Sequence, residues 1–218
     1  MTQSRTPRSR TSGTSQPQGR TFPLLPVLGG LVAVALVATV ILTFDSGTSG
    51  DQFGEVTVEG TTLGRFGGTT SSDPEVGAPI PAVTGEDFGG DQVVVADDGR
   101  AKMLLFLAHW CPVCQAEAPQ VDAWLGAEGL PDGVDLYVIP TGTSSTRANY
   151  PPQTWLEREG LGDLPILVDD EDFTAADAFG LSAYPYWVFV GDDGRVLARV
   201  TGQIDSADLG RIASSLAP

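Results

Sequence analysis

Cys111 and Cys114 are the only cysteines in the 218-residue chain, and they stand three positions apart. A bridge between such close neighbours closes a very short loop, so it removes little chain entropy as a staple. The pair is read as chemical rather than architectural, with a purely structural bridge as the plainer alternative. Zinc is the other rival for any Cys-x-x-Cys. A structural site needs about four ligands, and carboxylates would have to complete a set built from the two cysteines and His109, the single histidine. The expectation is therefore no metal. No glycine-rich phosphate loop follows a strand, so nucleotide or flavin binding has no support and no cofactor is expected.

The flanking residues position this pair. Residues 102–108 (Lys-Met-Leu-Leu-Phe-Leu-Ala) form an almost continuous apolar run, which fits a strand buried on both faces. Residues 112–127 read as a helix with Pro112 in its first turn and a kink at Pro119. Cys111 then falls at a helix N-terminus, where free N–H groups and the dipole favour an anion. Such a site can lower a thiol pKa from about 8.5 into the range of about 3.5–7.5. Cys114 lies one turn deeper, shielded from solvent. The spacing predicts one exposed nucleophile and one resolving thiol. The Cys111 thiolate would attack a partner disulfide to form a mixed disulfide, and Cys114 would release the reduced partner.

The remaining pattern supplies a scaffold. Residues 92–96 are β-rich, and Asp98-Gly99 is a hairpin signal. Residues 134–139 predict a second buried strand, 151–159 a helix opened by prolines, 164–168 a short extended segment, and 173–179 a helix ended by Gly180. Residues 187–190 and 195–201 flank Asp193-Gly194 as a hairpin, and 206–216 form an amphipathic helix. This order predicts an α/β fold, a mixed sheet with helices on both faces.

Ahead of this domain the composition changes. Residues 1–22 are polar and rich in Ser, Thr, Gly and Pro, which predicts a disordered cytoplasmic tail. Residues 23–44 are apolar and uncharged, long enough as a helix to span a bilayer core of about 30 Å. They end without the small-residue pattern of a cleaved signal peptide. Arg5, Arg8, Arg10 and Arg20 precede the run, and every acid follows it. The positive-inside rule then places the N-terminus in the cytoplasm and the rest of the chain outside the cell membrane as a single-pass protein. Residues 45–74, rich in Gly, Ser and Thr, read as a flexible linker, leaving 75–218 as the folded domain. The net charge of −16 repels phosphate backbones, so nucleic acid is excluded as a partner.

Trp110-Cys111-Pro112-Val113-Cys114 with Glu117 and Pro119, together with Gly180-Leu-Ser-Ala-Tyr-Pro185 before an apolar strand and Asp-Asp-Gly-Arg195, resembles the thioredoxin superfamily. The resemblance is to its membrane-anchored TlpA/ResA-like redoxin branch. It implies a thioredoxin-like fold and a redox-active Cys111–Cys114 disulfide. Pro185 matches the family's cis-proline, which with the preceding Tyr184 lies beside the cysteines and binds extended substrate. Trp110 would shape the docking surface, with simple packing as the alternative. Glu117 matches an acid near the cysteines, where a partly buried carboxylate has a raised pKa and can take the Cys114 proton; a plain helix-surface glutamate is the alternative. His109, if charged, would help stabilise the thiolate, and a solvent-facing position at the strand end is equally consistent. Leu105 stands where many thioredoxins bury an Asp, and Tyr186 where Thr is common.

The expected activity is that of an extracytoplasmic protein-disulfide oxidoreductase acting on protein thiols and disulfides, fed by a membrane electron donor. The resemblance favours a reductant, with apocytochrome c before haem attachment as its best-known substrate and general extracytoplasmic thiol reduction beside it; the cycle would run as an oxidase if a partner kept the site oxidised. The alternatives are a thiol peroxidase of the redoxin group and a non-catalytic redoxin module that holds a partner.

Overall fold

The structure, a computed structural model, describes residues 52–218. The expected tail and apolar anchor lie outside the described residues. The central strand is β4 (Ala101–Leu107), in which every residue is buried. It pairs in parallel with β5 (Val134–Pro140) and antiparallel with β6 (Tyr186–Val190). β7 (Val196–Thr201) closes the sheet in the order β5-β4-β6-β7.

Side chains alternate across this sheet because successive strand residues point to opposite faces. Met103, Leu105 and Leu107 of β4 and Trp187 and Phe189 of β6 pack with Val121 and Trp124 of α1 (Pro112–Glu128) and Leu209 and Ala213 of α4 (Ser206–Leu216). Leu104, Phe106, Val188 and Val190 face the other way, toward α3 (Thr174–Ala178) and the N-terminal segment. A short helix, α2 (Pro152–Arg158), follows β5 and buries Trp155 and Leu156. A smaller antiparallel sheet runs β1 (Thr57–Glu59), β2 (Ala82–Glu86), β3 (Gln92–Val95).

Two expectations are corrected. Of the residues read as a flexible linker, 52–74 are packed onto the domain. β1 pairs with β2, the Leu63 N–H donates to Ala178 O (2.9 Å), and the Phe66 N–H donates to Gly180 O (2.8 Å). Leu63 and Phe66 are buried, and Asp73 meets the Arg199 guanidinium in a fully buried two-pronged ion pair. The glycine- and serine-rich composition hid these sparse anchors. Gly180, with φ 74°, lets this segment approach, because a Cβ there would collide with the Gly64 carbonyl. Asp98-Gly99 is also not a hairpin turn. β3 pairs with β2, whereas β4 pairs with β5 and β6, so the turn carries the chain from one sheet to the other. Asp193-Gly194 is the true hairpin, between β6 and β7.

Candidate active site

The dithiol sits where β4 ends and α1 begins. Cys111 is the N-cap of α1 and Pro112 its first residue, a position that tolerates proline because no intrahelical donor is needed there. Both cysteines are free thiols, Cys114 fully buried and Cys111 only 7% exposed. Cys111 is thus less open than the spacing predicted. Burial pushes the Cys114 thiol far up, and neighbouring Cys111 and Glu117 add to that rise. Cys114 therefore needs a local base before it can act at neutral pH.

The resemblance-based residues converge here. The Tyr184–Pro185 peptide bond is cis, and Cys111 Sγ lies 4.0 Å from the Tyr184 carbonyl oxygen. Tyr184 meets Trp110 edge-on, ring centres 5.8 Å apart. The Trp110 indole N–H donates to Gly142 O at 2.7 Å. Gly142 is constrained by φ 63° and by Tyr184, whose Oη would lie 2.8 Å from an added Cβ. Burial pushes the Tyr184 phenol up to about 12, so it stays neutral and forms a wall rather than an acid.

Glu117 is fully buried, not a helix-surface residue. It lies three residues beyond Cys114, on the same helix face. Its Oε1 accepts from Trp187 Nε1–H at 2.9 Å, and both carboxylate oxygens accept from the Ile204 N–H at 3.2 Å. Burial raises its pKa above the usual carboxylate range, although the Trp187 and Ile204 donors oppose this. Leu105 pairs across the strands with Trp187. The carboxylate near the dithiol thus comes from the helix, held by the strand opposite Leu105. In the sequence an indole facing a helix acid across the sheet carries no local signal.

His109 is neither charged nor solvent-facing. It is 1% exposed, with Nδ1 at 2.6 Å from Ala148 O and Nε2 accepting from the Ser144 N–H at 3.1 Å. Nε2 faces a donor, so the proton belongs on Nδ1 and the ring is neutral. Burial moves its pKa down, and nearby Arg147 adds to that. Its role is to clamp the 141–150 loop beside the dithiol.

A family model described as Redoxin matches residues 75–213, so the chain belongs to the Redoxin family. Its fold is thioredoxin-like, and its sequence is similar to ResA and MauD proteins. Thiol-disulfide oxidoreductase ResA of Halalkalibacterium halodurans is 26% identical over 121 residues, 54% of this chain and 63% of that protein. Methylamine utilization protein MauD of Methylophilus methylotrophus is 28% identical over 133 residues, 58% of this chain and 56% of that protein. The chain thus spans somewhat less than two thirds of these relatives. A DsbF homologue from Corynebacterium diphtheriae shares the fold, with TM-score 0.57 at 21% identity over 72% of this chain and 100% of that one.

Proposed function

We propose that this chain is a protein-disulfide oxidoreductase. The observation that carries the reading is the joint placement of Cys111 as the helix N-cap, the Tyr184–Pro185 peptide against its sulfur, and Cys114 buried one turn behind. In the dithiol form, the Cys111 thiolate attacks one sulfur of a partner disulfide. A Cys111–partner bond forms, and the partner's other sulfur leaves as a thiolate that takes a proton. Glu117 accepts the Cys114 proton, the Cys114 thiolate attacks Cys111, and the partner cysteine departs reduced. Two electrons have then moved to the partner, and the chain holds a Cys111–Cys114 disulfide.

The finer reading is a reductant tethered to the outer face of the cell membrane, drawing electrons from a membrane donor. Apocytochrome c before haem attachment is the leading substrate. The apolar 23–44 run and the arginines ahead of it support the tether and its orientation. The test is the reduction potential of the Cys111–Cys114 pair together with an insulin reduction assay. A potential well below about −120 mV and rapid insulin reduction are expected. A potential near that oxidising end would reverse the direction, and rapid peroxide consumption without insulin reduction would favour the thiol peroxidase.

A further inference from the structure

Resting on the exchange reading above, we infer that Arg147 selects partners whose reactive cysteine is flanked by a carboxylate side chain. The guanidinium of Arg147 lies over the Trp110 ring, 4.4 Å from its centre, and Trp110 immediately precedes Cys111. Among the described residues Arg65 donates to the Ser182 carbonyl, and each other lysine or arginine except Arg147 pairs with a carboxylate. The exposed Arg147 side chain has no hydrogen-bond or ion-pair partner among those residues, so its donors stand open.

The loop that carries it is held from both sides. The Ser144 N–H donates to His109 Nε2, His109 Nδ1–H donates to Ala148 O, and Asn149 Nδ2 donates to His109 O. His109 itself precedes Trp110, so the segment that presents the nucleophile also pins the backbone around Arg147. Stacking on an indole fixes a guanidinium while leaving its edge free for a carboxylate. In a chain of net charge −16, a cation prepositioned on the indole that precedes Cys111 is a local reversal of the surrounding field. It attracts an acidic flank on the incoming segment, where the rest of the surface repels one.

The test uses the reduced full chain and one synthetic peptide disulfide in three versions, with Asp, Asn or Lys next to the cysteine. Second-order exchange rates are measured at low salt and near 1 M salt. The Asp peptide is expected to react about threefold to fivefold faster than the Asn peptide, with Lys slowest, as for an exposed charge pair. That preference shrinks where the Debye length falls to about 3 Å. Arg147→Gln brings the ratios toward one, and Arg147→Glu reverses the ranking. An unchanged ranking in Arg147→Glu, or equal slowing of all three peptides, overturns the inference, because an arginine that only packs on Trp110 affects them alike. Exchange without charge preference overturns this inference alone. Failure to exchange with any peptide overturns the exchange reading beneath it.

Discussion

The indole N–H of Trp187 donates to Glu117 Oε1 at 2.9 Å, tying the central sheet to the helix face that carries Cys114. The pair explains how a fully buried carboxylate is kept one turn from a fully buried thiol. Glu117→Gln preserves the shape and removes the base. Resolution of the mixed disulfide is expected to slow on the order of a hundredfold, within the range of general base catalysis. In the parent, the resolution rate rises as pH climbs through the raised Glu117 pKa, because only the carboxylate form accepts a proton. The variant should lose that limb. Single-turnover exchange across pH checks both, and an unchanged profile would remove Glu117 from the mechanism.

Trp187→Phe probes the same pair from the other side. It removes the donor while keeping an aromatic ring, so the carboxylate loses a contact that opposes its raised pKa. The limb in the resolution profile should move to higher pH, and stability should fall by about 1–3 kcal/mol for the lost buried hydrogen bond and ring volume. Single-turnover exchange and denaturant unfolding measure the two effects.

His109 gives a second pH signature. Its folded pKa is depressed by burial, so the unfolded chain binds more protons below about 6.5. Stability is complete above that pH and declines as pH falls toward the folded value. Protonation also puts a donor on Nε2 against the Ser144 N–H, so hydrogen exchange should quicken first in residues 141–150. His109→Ala should flatten this dependence and cost on the order of 2 kcal/mol.

Much of this architecture was legible in the sequence. The almost continuous apolar run of β4 marked the sheet centre, and Pro112 after Cys111 marked the helix start. The resemblance at Pro185 anticipated the cis bond found there. Non-local contacts were not legible. The Trp187–Glu117 bond joins residues 70 positions apart, and the His109 clamp reaches 39 positions to Ala148. The packing of 52–74 depends on Leu63, Phe66 and Asp73, three anchors spread through a stretch whose composition reads as a tether.

The Arg199–Asp73 pair is the most consequential of those anchors. Arg199→Met leaves Asp73 as an unpaired buried charge and should cost about 3–5 kcal/mol. The Arg199 guanidinium holds the Asp73 carboxyl below its usual range. The contribution of the pair is therefore complete above the unfolded value of about 3.9 and is lost as pH falls through the depressed folded value. Denaturant unfolding of parent and variant between neutral pH and pH 3 should show the gap narrowing at the acid end.

The most direct test of the account is mixed-disulfide trapping. Cys114→Ser in the full chain should accumulate partner proteins bonded to Cys111, released by dithiothreitol, and the Cys111→Ser chain should trap none. Equal trapping by Cys111→Ser, or no trapping by Cys114→Ser in a chain whose Cys111 still reacts with an alkylating agent, would contradict the assignment of Cys111 as nucleophile and Cys114 as the thiol that resolves it.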